Sequence, residues 1–312
     1  MTKNHFYYPS ADGRTKIHAI RWDPEQKPAG IVQIIHGMIE FIDRYDAFAK
    51  YLAEHGFLAV GEDHLGHGES VVSDAYHGYF GKDGNAWMIK DIHHLREMMQ
   101  EEFPDTPYLI LGHSMGSFLA LQYITEEDAR FAEGLGGAAI LGTGWQPPAA
   151  LAAGKLLAKA MGTDKVGTAS PLLEKIAMGS YLKRIPHPRT VSDWLTKDTE
   201  IVDQFRKNPW NTFHFTPNAF YHMFSGMQKA HDLRRMKKLP EGLPLLFASG
   251  EEDPVGGWGK GVRKAFRVYA ENTKCKVDLL LYPGCRHEIL NETERKEVFR
   301  DLRLFFEHCL GE

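Results

Sequence analysis

Hydrophobic and polar positions follow two rhythms along this chain. Six short apolar runs read as strands: GIVQIIH (Gly30–His36), FLAVG (Phe57–Gly61), YLIL (Tyr108–Leu111), GAAIL (Gly137–Leu141), LPLLFA (Leu243–Ala248) and KVDLLLY (Lys276–Tyr282), and the nearly unbroken GIVQIIH marks a sheet covered on both faces. Between them apolar residues recur at helical spacing. Tyr45, Phe48 and Leu52 stripe a helix over Arg44–His55, and Ile89, Ile92, Leu95 and Met99 stripe one over Asn85–Glu102. Ser114–Thr125 continues the pattern, and Glu292–Cys309 closes it with Val298, Leu302, Phe305 and Phe306 inward. Ahead of all this, Asn4–Tyr8 and Lys16–Trp22 flank the turn sequence Ser10-Ala11-Asp12-Gly13, which predicts a hairpin. Strands alternating with helices require right-handed crossovers and a mostly parallel sheet with helices on both faces, so the fold class is α/β.

The rhythm is lost from Trp145 to Lys238. This stretch predicts helices over Ala149–Met161, Ser170–Met178, Val191–Lys207 and Asn218–Met236, with prolines marking several connections. The reading is one α/β core (1–144 and 239–312) interrupted by a helical insertion (145–238). On Ala149–Met161, Lys155 and Lys159 share a face, which suits either a helix packed on the core with a wet basic edge or one lying on a lipid interface. The aromatics Trp210, Phe213, Phe215, Phe220, Tyr221 and Phe224 either line an apolar channel or form the core of the insert, the latter role expected for at least half of them.

Composition narrows the function classes. The 312 residues carry 37 basic and 41 acidic side chains, so no broad basic excess is available for nucleic acid. The local run Arg234, Arg235, Lys237, Lys238 reads as a solvated helix face. Cys275, Cys285 and Cys309 form no CxxC pair or disulfide framework, the N-terminus lacks a secretory pattern, and a reducing, cytoplasmic setting is expected. No apolar run reaches the roughly 18 residues of a membrane span, although peripheral contact with a lipid surface stays open.

Chemistry concentrates at the ends of the apolar runs. Gly112-His113-Ser114-Met115-Gly116 follows YLIL and opens a helix, so Ser114 sits on a tight strand-to-helix turn beside the amides of a helix N-terminus. As a plain helix cap, Ser114 would call for Glu or Gln three residues on; Ser117 stands there instead. A serine nucleophile needs an imidazole, and the imidazole needs a carboxylate. Asp253 after LPLLFA and His287 after KVDLLLY stand in the required chain order; Glu251, Glu252 and Asp278 compete less well for the acid. His113, locked beside the serine, reads as a packing and hydrogen-bonding residue. The oxyanion needs fixed donors. The Met115 amide is one, and the turn His36-Gly37-Met38 supplies the other through the Met38 amide, with Gly37 permitting the close turn. Gly112 and Gly116 relieve crowding around the serine turn. Asp63, His64 and His67 mimic part of a zinc site but lack a further local ligand, and His93 and His94 diverge on their helix, so no metal is expected. No GxGxxG follows the first parallel strand, which disfavours a dinucleotide cofactor.

Five segments together carry a resemblance: HGMIEFIDRYDAFAKYLAEHGF, VGEDHLGHGES, GHSMG, SGEEDPVGGWGKGV and YPGCRHEILNE. In this order the chain resembles the α/β-hydrolase superfamily, in its monoacylglycerol lipase and lysophospholipase branch. The resemblance implies Ser114 as nucleophile, Asp253 as acid, His287 as base, Met38 and Met115 as oxyanion amides, and 145–238 as a cap over the entrance. It also implies hydrolysis of fatty-acyl esters of glycerol or glycerophospholipids without a cofactor. Met38 departs from the branch, whose members often carry a small residue there, and its bulk is expected to narrow the acyl or leaving-group space. A carboxylesterase or peptidase on the same scaffold is the nearest alternative. A non-catalytic binding protein is a distant one, since no break in the triad is visible.

Overall fold

The computed structural model describes residues 1–311. β1 (Thr2–Pro9) and β2 (Lys16–Asp23) form the expected antiparallel hairpin, with Pro9 opposite Lys16. Asp12 closes its turn by accepting from the amides of Arg14 and Thr15, both at 2.7 Å. Then come β3 (Gly30–Ile35), α1 (Asp46–Glu54), β4 (Phe57–Glu62), α2 (Gly84–Glu102), β5 (Tyr108–His113), α3 (Met115–Ile124) and β6 (Leu135–Leu141). The insert holds α4 (Pro148–Ala160), α5 (Pro171–Met178), α6 (Thr199–Lys207), α7 (Pro217–Ala230) and α8 (Leu233–Met236). β7 (Pro244–Gly250), α9 (Lys260–Asn272), β8 (Lys276–Tyr282) and α10 (Arg295–Cys309) complete the chain.

The eight strands make one sheet in the order β1-β2-β4-β3-β5-β6-β7-β8, parallel from β4 onward. Alternate residues of each central strand face opposite layers. Ile31, Ile35, Leu58, Val60 and Ile110 pack with α2, α3 and α9, whereas Val32, Ile34, Ala59, Leu109 and Leu111 pack with α1 and α10. In the central strands, covered on both faces, a buried polar side chain is costly without partners; Gln33 inside β3 donates to Ile92 O at 3.0 Å and accepts from Tyr108 at 2.7 Å.

The insert departs from its sequence pattern in two places. Val191–Lys207 is not one helix: only Thr199–Lys207 is helical, since Asp198 caps it by accepting from Glu200 N at 3.1 Å and Asp193 binds the preceding backbone at Arg189 N, 2.6 Å. Asn218–Met236 breaks at His231–Asp232, where Asp232 caps α8 through Arg234 N at 2.9 Å. The basic run also divides. Arg234, Lys237 and Lys238 are exposed, but Arg235 turns inward to Glu126 at 3.0 Å. Lys155 is likewise not a free headgroup contact, because its ammonium lies 5.0 Å above the Tyr221 ring.

Candidate active site

Parallel strands deliver their C-terminal ends to one edge of the sheet. Ser114 follows β5, His36-Gly37-Met38 follows β3, Asp253 follows β7 and His287 follows β8. Ser114 has φ 55° and ψ −120°, left-handed space that costs a non-glycine residue about 1–3 kcal/mol. The turn is too tight for side chains around it. A Cβ on Gly116 would lie 2.0 Å from Ile35 O, and one on Gly112 would lie 2.4 Å from Gly116 O. Ile39 (φ 57°) on the loop after β3 and Trp258 (φ 55°) on the loop after β7 are also left-handed, as is His187 (φ 47°) in the insert.

Asp253 and His287 meet. The ring Nδ1 lies 3.0 Å from Asp253 Oδ1, while Val255 N and Ser249 Oγ donate to the same carboxylate at 2.8 and 2.9 Å. Burial pushes the Asp253 carboxyl up, but His287 and these donors more than offset it and hold the group below its usual range. The carboxylate therefore stays ionised and accepts a hydrogen bond from Nδ1–H, which leaves Nε2 free to accept one. Among its competitors, Glu251 pairs with Arg263 at 3.3 Å, and Glu252 and Asp278 are exposed. No hydrogen bond joins Ser114 Oγ to the His287 ring among the described residues. Such contacts commonly tighten only around bound substrate.

The β3 turn is locked in one orientation. His36 Nε2 accepts from the His64 amide at 2.9 Å, so its proton sits on Nδ1, which donates to Gly37 O at 2.8 Å. A trans peptide places N–H opposite C=O, so pinning the Gly37 carbonyl turns the Met38 amide the other way. Burial, then neighbouring His64 and His67, hold His36 well below the usual histidine range and keep the ring neutral. The Met115 amide is the first of α3 and has no intrahelical partner. Gly37 itself has no room for a side chain: its Cβ would lie 2.9 Å from Ser114 Cβ.

A buried charge cluster missed at the sequence level braces these loops. Arg44 donates to Glu40 at 2.6 Å and to both oxygens of Glu288 at 2.8 and 2.7 Å. Glu40 accepts from Gly37 N and from Tyr45 Oη at 2.8 Å. His113 lies with Nδ1 3.2 Å from Glu40 and Nε2 3.3 Å from His287 O. Burial pulls its proton affinity down, but the Glu40 carboxylate overrides this and raises it. The adjacency of Glu288 to His287 and the Glu40–Arg44 spacing were the only signals available.

Other candidates fall into supporting roles. Asp63 accepts from Ile42 N at 2.8 Å and Glu69 N at 3.0 Å and contacts His18 Nδ1 at 2.8 Å, tying loop to strand. His93 meets Tyr123 Oη at 2.8 Å, and His94 stacks on Tyr8. Among the described residues no group of His, Cys, Asp and Glu has metal-binding geometry.

A cavity of 1040 Å³ opens from Ser114, Met38, Met115 and His287 into the insert. Apolar side chains of α4, α5 and α7 dominate it, including Leu151, Leu157, Ile176, Met223 and Met227. Met38 lines it, where its bulk was expected to matter. Of the six aromatics, Phe213 and Phe224 line the space, whereas Phe215 and Phe220 are buried in the core that α7 shares with α3.

Known proteins resemble this chain in sequence and fold. The chain is 27% identical to a monoacylglycerol lipase of Mycolicibacterium smegmatis over 90% of this chain and 89% of that one. A segment of 128 residues is 32% identical to human monoglyceride lipase, covering 39% of each chain. The structure superimposes on a thermostable carboxyl esterase from Bacillus coagulans, solved with glycerol, with a TM-score of 0.89, 30% identity and 99% of both chains covered. Residues 26–294 match the model of the family Hydrolase_4, described as serine aminopeptidase, S33. With its serine turn, parallel sheet and helical insert all inside that match, the chain belongs to this family of α/β-hydrolases.

Proposed function

We propose that this chain is a serine hydrolase that cleaves fatty-acyl esters, monoacylglycerol or lysophospholipid foremost, through an acyl-enzyme. The observation that carries the reading is the opening of Ser114, in its strained turn beside the Asp253–His287 pair, onto a large apolar cavity. His287 Nε2 takes the Ser114 proton as the hydroxyl oxygen attacks the ester carbonyl. The Met38 and Met115 amides hold the oxyanion, and the imidazolium returns the proton to the leaving alcohol. Water, deprotonated by the same nitrogen, then releases the fatty acid and restores Ser114. No cofactor takes part. Segment 145–238 acts as the cap. It carries Leu156, Leu172, Ile176 and Val191 at 69%, 51%, 58% and 72% exposure, which favours transient contact with a lipid surface.

The family description raises a peptidase as a second reading. An aminopeptidase must bind an ammonium group, yet the carboxylates lining the cavity already have partners: Glu40 and Glu288 are held by Arg44, and Glu174 accepts a hydrogen bond from His214 at 2.7 Å. Esters fit better. A hydrolysis screen of monoacylglycerol, lysophosphatidylcholine and amino-acid amides, run beside Ser114→Ala, tests this. Fatty-acid release that the variant loses supports the reading; faster cleavage of the amides than of either lipid overturns it.

A further inference from the structure

We propose that Trp194, carried by the insert, is a positioning residue for the His287 imidazole. This rests on the reading of His287 as the base. Asp253 restrains only one ring nitrogen, so the ring plane needs other support. Two aromatic rings from different elements pack against it. His113 of β5 lies 4.8 Å away on centroids and Trp194 lies 5.1 Å away, each tilted by 41°. The His287 side chain is left 2% exposed. Tyr181 in turn packs edge-on against Trp194 at 4.8 Å and fixes the indole.

The backbone around Trp194 is strapped to the backbone around His287, and the ties bracket both residues. Glu288 N donates to Leu195 O at 2.7 Å. On the other side, Arg286 Nη1 donates to Asp193 O at 2.6 Å and to Thr196 O at 3.2 Å. The Glu292 carboxylate accepts from Thr196 Oγ1 at 2.9 Å and Lys197 N at 3.1 Å, and from Arg286 N at 2.7 Å. Thus the neighbours of Trp194 in the chain are bound to the neighbours of His287. This part of the insert is a wall of the base's housing rather than a movable flap. The chemistry asks for such a wall, because the imidazole becomes a cation on taking the serine proton and an indole face attracts a cation.

The test compares Trp194→Phe, Trp194→Leu and Trp194→Met in the full chain, with p-nitrophenyl acetate as a substrate too short to use the acyl cavity. Initial rates are read beside the second-order rate of fluorophosphonate labelling. Phenylalanine keeps an aromatic face and is expected to stay within about threefold of the parent kcat, whereas leucine and methionine lower kcat and labelling together by about three- to tenfold, with KM for the acetate little changed. Methionine serves if the leucine variant does not fold. Equal rates for the aromatic and aliphatic variants, or a change confined to KM, overturn the proposal. Labelling of Ser114→Ala, run alongside, instead defeats the nucleophile assignment and leaves the Trp194 comparison recognisable as a separate result.

Discussion

Arg44 and Glu288 stand 244 positions apart in the chain yet meet through two parallel hydrogen bonds of 2.8 and 2.7 Å. Since Arg44 also holds Glu40, which binds Gly37 N, one guanidinium connects the turn presenting the Met38 amide to the loop presenting His287. Burial alone would lower the proton affinity of this arginine; Glu288 and Glu40 raise it, and it holds Glu288 below the usual carboxylate range.

Arg44→Met leaves two buried carboxylates without their partner. Removing one member of a buried pair costs about 3–5 kcal/mol, so the variant should lose that much in urea unfolding and lose activity with it. A loss below about 1 kcal/mol would show the cluster to be well solvated.

Asp253→Asn keeps the shape of the acid but offers His287 the wrong partner and removes the charge that favours the imidazolium. kcat should fall by about 10³–10⁴ with KM for a soluble ester nearly unchanged. A drop under about tenfold points to another acid.

Chain length should govern affinity, because each methylene buried in the cavity contributes roughly 0.8 kcal/mol. Across nitrophenyl esters from about two to sixteen carbons, kcat/KM should rise to a medium or long acyl chain. A maximum at the acetate contradicts the assignment of this cavity to an acyl group.

Asp91 links stability to pH. Burial pushes its carboxyl up to about 7, against the Ala11 amide and Ser10 hydroxyl that donate to it at 2.6 and 2.7 Å. A carboxyl with raised proton affinity favours the fold while protonated; the contribution is full below about pH 4 and is lost as pH rises through about 7. Asp91→Asn lacks this dependence, so its stability relative to the parent should improve between about pH 5 and pH 8 by on the order of 2–4 kcal/mol. A difference that does not vary with pH would rule the linkage out.

The strands and the serine turn were legible because their signals are local. Two-sided burial makes GIVQIIH or YLIL nearly continuous in apolar residues, and the tight turn admits only glycine at 112 and 116. The chain order at strand ends pointed to Asp253 and His287, and the structure brings those two side chains together at 3.0 Å. The insert was harder. Val191–Asp198 has a helical composition, but Asp193 turns back to the Arg189 amide and the segment's own backbone is captured by the distant Arg286 and Glu292. Those partners lie about a hundred residues away, beyond any periodicity. Arg44, Glu288 and Trp194 escaped for the same reason: their meaning comes from contacts across the sheet edge, not from neighbours in the chain.

The most direct test of the account is fluorophosphonate labelling followed by mass spectrometry of the peptide containing position 114. The parent chain should carry one adduct on Ser114, and Ser114→Ala, folded by circular dichroism, should carry none. Stoichiometric labelling of that variant, or an adduct on another residue of the parent, would contradict it.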